Sequence, residues 1–248
     1  MAKYEIKLLR RAEVAAGTMS FFFEKPAGFT FKPGQNADFT LIDPAEPDPE
    51  GHTRTFTIAS APFEPELMVA MRMQDTAFKR ALGRMAPGVA GAPGGSILME
   101  GPMGSMTLQN DAGRPAVFIA GGIGITPFVS MIREATHRGL PHELFLFYSN
   151  RTPADAAFLR ELTDLQNENH RFHLVPTMTQ ANEDAWDGET GRIDGAMISK
   201  YLARFARQPG DAIFYIAGSF AMATAARGVL DGLGVDSDFV KAEEFAGY

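Results

Sequence analysis

The chain has no cysteine and a single tryptophan in 248 residues. Without a thiol it forms no disulfide, offers no cysteine ligand to zinc or an iron–sulfur cluster, and carries no cysteine nucleophile. Positive charge is scarce, with 23 Lys+Arg against 30 Asp+Glu and no basic run. Nucleic-acid affinity rests on neutralising phosphates, so nucleic acid is not an expected partner. The five histidines, at 52, 137, 142, 170 and 173, lack paired-ligand spacing, and no metal site is expected. There is no G-x-S-x-G, so a hydrolase elbow has no support. The first residues are charged (Lys3, Glu5, Lys7, Arg10, Arg11) and show no apolar signal-peptide stretch. A cytoplasmic location is the expectation. The uncharged stretch 115–132 reaches the ~18 residues of a membrane-spanning candidate. Gly121, Gly122, Gly124 and Pro127 interrupt it, so it reads as strand, turn and helix start, and no membrane span is expected.

Hydrophobic residues make up 45% of the chain and charged residues 21%, a balance that builds a packed core. The length suits one large domain or two small ones, and the pattern changes part-way. Short apolar or alternating runs at 4–9, 19–24, 36–42, 53–60, 66–73 and 96–100 read as antiparallel strands. Phe21, Phe22 and Phe23 fit a strand packed on both sides. FKPGQ (31–35) is a turn, Pro44, Pro47 and Pro49 mark an exposed loop, and a helix is expected over 76–85, capped near Asp75 or Thr76. After about residue 110, strand-like AVFIA (116–120), ELFLFYS (143–149), RFHLVPTM (171–178) and AIFYIAG (212–218) alternate with helical patterns reaching 138 and spanning 153–167, 195–206 and 220–233. Such alternation implies parallel βαβ units. The expectation is an antiparallel β domain over 1–110 and an α/β domain over 111–248.

Two segments suit binding chemistry. The turn GGIGITP (121–127) follows a strand and opens a helix. Its glycines let backbone N–H groups approach an anion, and the helix start adds partial positive charge, so a dinucleotide diphosphate fits there. Pro127 stands where the GxGxxG fingerprint has its third glycine, and a tight strand-to-helix connection without ligand has the same composition. In RTFTIAS (54–60) an extended strand puts Arg54 and Phe56 on one face and Thr57 on the other. An arginine pairs with phosphate, a ring supports a planar heterocycle, and the Thr57 or Ser60 hydroxyl can bond a flavin. A half-exposed strand with a solvated arginine looks the same.

In order along the chain, RTFTIAS, GGIGITP, AGSFAM (217–222) and EEFAGY (243–248) resemble the ferredoxin–NADP(H) reductase superfamily, and its bacterial ferredoxin/flavodoxin–NADP reductases in particular. The resemblance implies an antiparallel Greek-key β-barrel binding FAD, then a Rossmann-like parallel-sheet domain binding NADPH, with NADH as the other possibility. It puts Arg54 on the FAD phosphate, Phe56 against the isoalloxazine and Thr57 near flavin N5. RMQDTAFKRAL (72–82) matches a second flavin segment, in which Thr76, Ala77 and Phe78 offer helix-start amides to the diphosphate and Arg72 lies nearby. GPMG (101–104) matches the turn that closes the barrel. Gly121, Gly122, Gly124 and Thr126 match the NAD(P) loop. Ser149 and Arg151, with Arg192 as a second contact, match positions for an adenosine 2′-phosphate, which favours NADPH. Thr57 and Glu243 are the expected catalytic pair, and Phe245 or Tyr248 covers the flavin. Ala217 stands where many members have cysteine.

The function implied is hydride transfer from NADPH to FAD, then release of single electrons to a separate carrier, ferredoxin or flavodoxin, by a monomer. Lys79, Arg80 and Arg84 are the expected docking patch for an acidic carrier. The alternatives are a ferric-chelate or free-flavin reductase, the reductase component of an oxygenase, and a nucleotide-binding regulatory module without turnover.

Overall fold

The computed structural model describes residues 2–88, 94–180 and 186–245 and contains two six-stranded sheets. The first is antiparallel and is built from β1 (Ala2–Ala15), β2 (Thr18–Glu24), β3 (Asn36–Leu41), β4 (Thr53–Thr57), β5 (Glu66–Arg72) and β6 (Ser96–Met103). Their order is β4-β3-β6-β1-β2-β5. β1 serves both halves of this sheet, pairing with β6 over residues 2–7 and with β2 over 8–15. Only its first half stands out in the sequence, because Arg10, Arg11 and Glu13 break the apolar alternation. The two ends of the sheet meet where the Ala59 N–H donates to the Met68 carbonyl at 2.7 Å, closing a Greek-key barrel. Phe21 and Phe23 point into the barrel core with Ile6, Phe39 and Val69. Phe22 points the other way, with the Arg10 guanidinium 3.4 Å above its ring. Helix α1 (Ala77–Arg84) plugs the barrel with Phe78 and Leu82, and the Thr76 hydroxyl caps it by accepting from the Lys79 N–H.

The second sheet is parallel, with order β10-β9-β8-β7-β11-β12. Its strands are β7 (Ala116–Gly121), β8 (Leu144–Asn150), β9 (Phe172–Met178), β10 (Glu189–Thr190), β11 (Ile213–Gly218) and β12 (Val240–Glu244). β7 and β8 are almost wholly apolar because helices cover both faces. Helices α2 (Thr126–Arg138) and α3 (Leu159–Glu168) pack on one face, and α4 (Gly195–Ala203) and α5 (Phe220–Gly232) on the other. The helix expected over 153–167 is divided. A single turn spans Pro153–Asp155, Phe158 adopts φ 61° while burying its ring in the core, and α3 starts only at Leu159. β12 has no apolar alternation to announce it; backbone pairing along β11 makes it a strand. No helix among the described residues is long and apolar enough to cross a membrane.

The two units share one core. Ala59, Met68, Ala70 and Met106 of the first pack with Phe118, Phe128 and Met131 of the second. The Ser130 hydroxyl donates to the Ser60 carbonyl at 2.7 Å. Arg133 of α2 reaches the Ala59 carbonyl at 3.2 Å and Glu64 at 3.4 Å while holding Glu161 of α3 at 2.5 Å. These ties hold the faces of the cleft between the units in place.

Candidate functional site

In the parallel sheet the chain runs outward from β7 through β8 and β9, then returns to add β11 on the other side of β7. Ligands of such sheets bind beyond the carboxyl ends of the strands at this reversal. The turn Gly122–Ile125 lies there. A Cβ at Gly124 would stand 2.2 Å from the Ala217 carbonyl oxygen and 2.8 Å from Gly218 Cα, so only glycine lets the turn lie against β11. Two clefts flank Ser149 at the end of β8. One is lined by Gly122, Arg72, Asn150, Arg151 and Asp155, the other by Arg192, Ile193, Ser219 and Met222. Arg151 pairs with Asp155 at 3.1 Å, whereas Arg192 has no ion pair among the described residues. The two arginines expected on one phosphate therefore line different clefts.

Between the units, Phe56, Thr57, Arg72 and Lys79 face Ile123, Thr126 and Phe245. The adjoining hollow is lined by Asn36, Arg54, Thr57, Glu243 and Phe245. β12 brings Glu243 here by pairing it with Ala217, and the Phe245 N–H donates to the Gly218 carbonyl at 3.0 Å. The Asn36 amide donates to Glu243 Oε1 at 2.9 Å. Burial pushes the Glu243 carboxyl above the ordinary glutamate range, and the Asn36 bond offsets this only in part. Thr57 Oγ1, Asn36 Oδ1 and Glu243 Oε2 are all buried without a partner. Buried polar atoms are normally satisfied, so three such atoms at one hollow mark a site shaped for a hydrogen-bonding ligand. The Thr126 hydroxyl is already committed, donating to the Ile123 carbonyl at 3.2 Å as α2 opens.

The family described as the oxidoreductase NAD-binding domain matches residues 118–228. The reductase component of propane 2-monooxygenase from Rhodococcus jostii (strain RHA1) is 28% identical over 221 residues, covering 89% of this chain and 57% of that protein. The glycine betaine monooxygenase reductase subunit of Chromohalobacter salexigens is 26% identical, covering 92% of this chain and 60% of that protein. The chain thus spans less than two thirds of the length of these relatives. A solved ferredoxin NADP+ reductase from Neisseria gonorrhoeae, with FAD and NADP bound, aligns at a TM-score of 0.79 and 20% identity over 98% of both chains. Residues 118–228 thus match the oxidoreductase NAD-binding domain, and the chain shares the fold of that reductase.

The residues that the resemblance assigns to a flavin ring lie near one another. Phe56 packs between Phe39 and Phe78, at 5.9 and 5.8 Å, and shares the cleft wall with the unpaired Thr57 hydroxyl. The diphosphate positions also converge, but on a carboxylate of this chain. Asp48 Oδ1 lies 2.9 Å from Arg54 Nη2, and Asp48 Oδ2 accepts from the Phe78 N–H at 2.9 Å. The Thr76 hydroxyl is spent on its cap, and Ala77 is the buried first residue of α1. Arg72 lines both the cleft between the units and the Arg151 cleft, 3.9 Å from Asp155. Gly121, the last residue of β7, lies against Met222: a Cβ there would be 3.1 Å from Met222 Cγ.

Several expectations change. Ser60 does not reach the cleft: its hydroxyl accepts from the Met68 N–H at 3.0 Å, so it helps close the barrel instead. Lys79, Arg80 and Arg84 form no free basic face. Glu46 holds Arg80 and Arg84 at 2.9 and 3.0 Å, Asp75 also holds Arg80, and Lys79 is half-buried with its ammonium donating to the Arg72 carbonyl at 2.8 Å. The cause is the proline-rich loop, which stays exposed as expected but lays Glu46 beside α1. Tyr248 lies outside the described residues. Asn36, Asp48 and Arg133 belong to no motif that the sequence displays. The run of acids at 46, 48 and 50 preceding Arg54 is the available signal for Asp48.

Proposed function

We propose that the chain is an FAD-dependent NAD(P)H oxidoreductase serving a separate electron acceptor, foremost an oxygenase component. The observation that carries this is the cleft in which Phe56 and Thr57 face Thr126 and Phe245, with an adjoining hollow that holds three buried polar atoms without partners. A flavin held there supplies hydride acceptance from a reduced nicotinamide and release of electrons one at a time. Phe56 backs the ring plane, and the Thr57 hydroxyl donates at the ring edge. Phe245, tethered through its amide to β11, excludes water from the nicotinamide side. The 122–125 turn and the start of α2 take the dinucleotide diphosphate. Glu243 keeps its proton to higher pH than an exposed glutamate does and presents Oε2 to the hollow.

Both of these relatives are named as reductase parts of monooxygenases, which favours an oxygenase partner. The neutralised α1 face supports the same choice over an acidic ferredoxin or flavodoxin. The chain has no cysteine, so a cysteine-held iron–sulfur acceptor lies outside it. The purified chain is expected to bind one FAD and to reduce ferricyanide with NAD(P)H. A colourless protein that takes up no FAD contradicts the proposal. Faster turnover with a ferric chelate than with any protein acceptor at matched concentration would replace the oxygenase assignment with ferric reduction.

A further inference from the structure

The loop between β3 and β4 alternates prolines at 44, 47 and 49 with acids at 46, 48 and 50. Proline has no N–H and holds the chain extended, so the loop has carboxylates to offer and few amides of its own to satisfy them. All three acids reach the cationic end of the barrel. Glu46 holds Arg80 and Arg84, Glu50 lies 3.0 Å from Arg54, and Asp48 holds Arg54 and the Phe78 N–H. Asp48 sits deepest, with its side chain 4% exposed. One of its oxygens takes the guanidinium and the other a first-turn amide of α1. An arginine and a helix start hold a phosphate in the same way. The Glu50 amide, the Phe78 amide and Arg54 hold the Asp48 carboxyl below its ordinary range, so it sits there as an anion.

We infer that Asp48 is a built-in stand-in for the flavin phosphate, and that it sets how strongly the protein discriminates between a phosphorylated flavin and the bare ring. The inference rests on the proposal that this chain binds FAD. A diphosphate and a carboxylate at hydrogen-bond distance from the same arginine and amide repel each other. Asp48 must therefore leave before the phosphate settles, and part of the phosphate's binding energy is spent on moving it. The ring pocket of Phe56, Thr57 and Phe245 does not include Asp48, so a flavin without phosphate meets no such competitor. The opposite role, in which Asp48 orients Arg54 for the phosphate, predicts an effect of opposite sign.

The test is titration of the flavin-free full chain with FAD, FMN and riboflavin, following flavin fluorescence, for wild type and Asp48→Asn. Asparagine keeps the shape and an acceptor for the Phe78 N–H but removes the charge. The expected result is FAD and FMN binding tighter by about ten-fold or more, the scale of one like-charge contact relieved, with riboflavin affinity unchanged. Asp48→Ala moves FAD affinity in the same direction. Weaker FAD binding in Asp48→Asn would overturn the inference and make Asp48 a positioning residue for Arg54. Equal tightening of riboflavin would overturn it as a general loosening of the loop. FAD binding with the same affinity in both proteins refutes the inference and leaves the proposed function standing. Failure of both proteins to bind any of the three flavins refutes the two together.

Discussion

Asn36 at the start of β3 donates its side-chain amide to Glu243 Oε1 on β12 at 2.9 Å, joining strands that lie 207 residues apart. The bond crosses from the barrel to the far edge of the parallel sheet at the hollow where the ligand-facing atoms gather. Gly104 makes room for it: a Cβ there would lie 2.9 Å from Asn36 Nδ2. Tail and barrel are thus registered to each other by one side-chain pair, and Glu243 is held in place while one oxygen remains unpaired.

The pH dependence of stability follows from this pair. Burial raises the Glu243 pKa, and the Asn36 bond offsets this in part. Below the unfolded-state pKa the carboxyl is protonated in both states, so its preference for the neutral form is fully met. As pH rises through the folded-state value the fold must carry a buried charge and loses stability. Glu243→Gln stays neutral throughout. Its melting temperature is expected to match wild type below about pH 4 and to exceed it by about pH 8. Asn36→Leu removes the bond that favours the charged form and shifts the wild-type decline to higher pH. Parallel melting curves across the range would show that Glu243 is not buried as described.

Nucleotide preference separates the two arginines beside Ser149. Arg192 has no ion pair among the described residues, while Arg151 is spent on Asp155. Arg192→Ala is expected to raise the KM for NADPH about ten-fold, the scale of one lost charge-assisted phosphate contact, and to leave the KM for NADH nearly unchanged. Arg151→Ala gives the smaller effect. The reverse ranking would place the phosphate in the Arg151 cleft.

Arg133 is the ionic hinge pin between the units. Its side chain is 13% exposed and serves Glu161, Glu64 and the Ala59 carbonyl. Arg133→Met takes the guanidinium from two partly exposed carboxylates, of which Glu64 keeps the Ala61 N–H, and from the Ala59 carbonyl. A loss of about 1–3 kcal/mol in denaturant unfolding is expected, reduced from the fully buried case because both carboxylates see water. A change under about 0.5 kcal/mol would place it with ordinary surface substitutions.

Two glycines of contrasting surroundings test the turn at the sheet reversal. Gly124→Ala drives a methyl into β11 backbone, and a loss of about 3 kcal/mol with impaired nucleotide binding is expected. Gly228 lies within α5, and a methyl added there would meet nothing within 4 Å. Gly228→Ala is expected to stabilise by about 0.5–1 kcal/mol. Thermal melts of both variants, with an NADP+ titration of the first, check the pair.

Much of this architecture is legible in the sequence because it rests on local pattern. The apolar runs of β7, β8 and β11, the glycine turn between β7 and α2, and the Thr76 cap of α1 each carry their own signal. What was not legible depends on partners distant in the chain. β12 is a strand because β11 lies beside it, and Arg10 and Arg11 lie in a strand because β1 must reach from β6 to β2. Ser60 looks like a ligand hydroxyl until Met68 claims it. The loop carrying the acids at 46, 48 and 50 stays exposed, as its composition suggests, but nothing local shows that Asp48 is drawn in onto Arg54 and the start of α1 or that Glu46 pairs with Arg80 and Arg84.

The cleft between Phe56–Thr57 and Thr126–Phe245 is proposed to bring a flavin and a reduced nicotinamide into contact. Anaerobic rapid mixing of the FAD-loaded chain with one equivalent of NADPH or NADH tests this most directly. Loss of the oxidised flavin's visible absorption in a single turnover, slowed in Gly124→Ala, is the predicted result. A flavin that stays yellow after prolonged mixing with both nucleotides would contradict it.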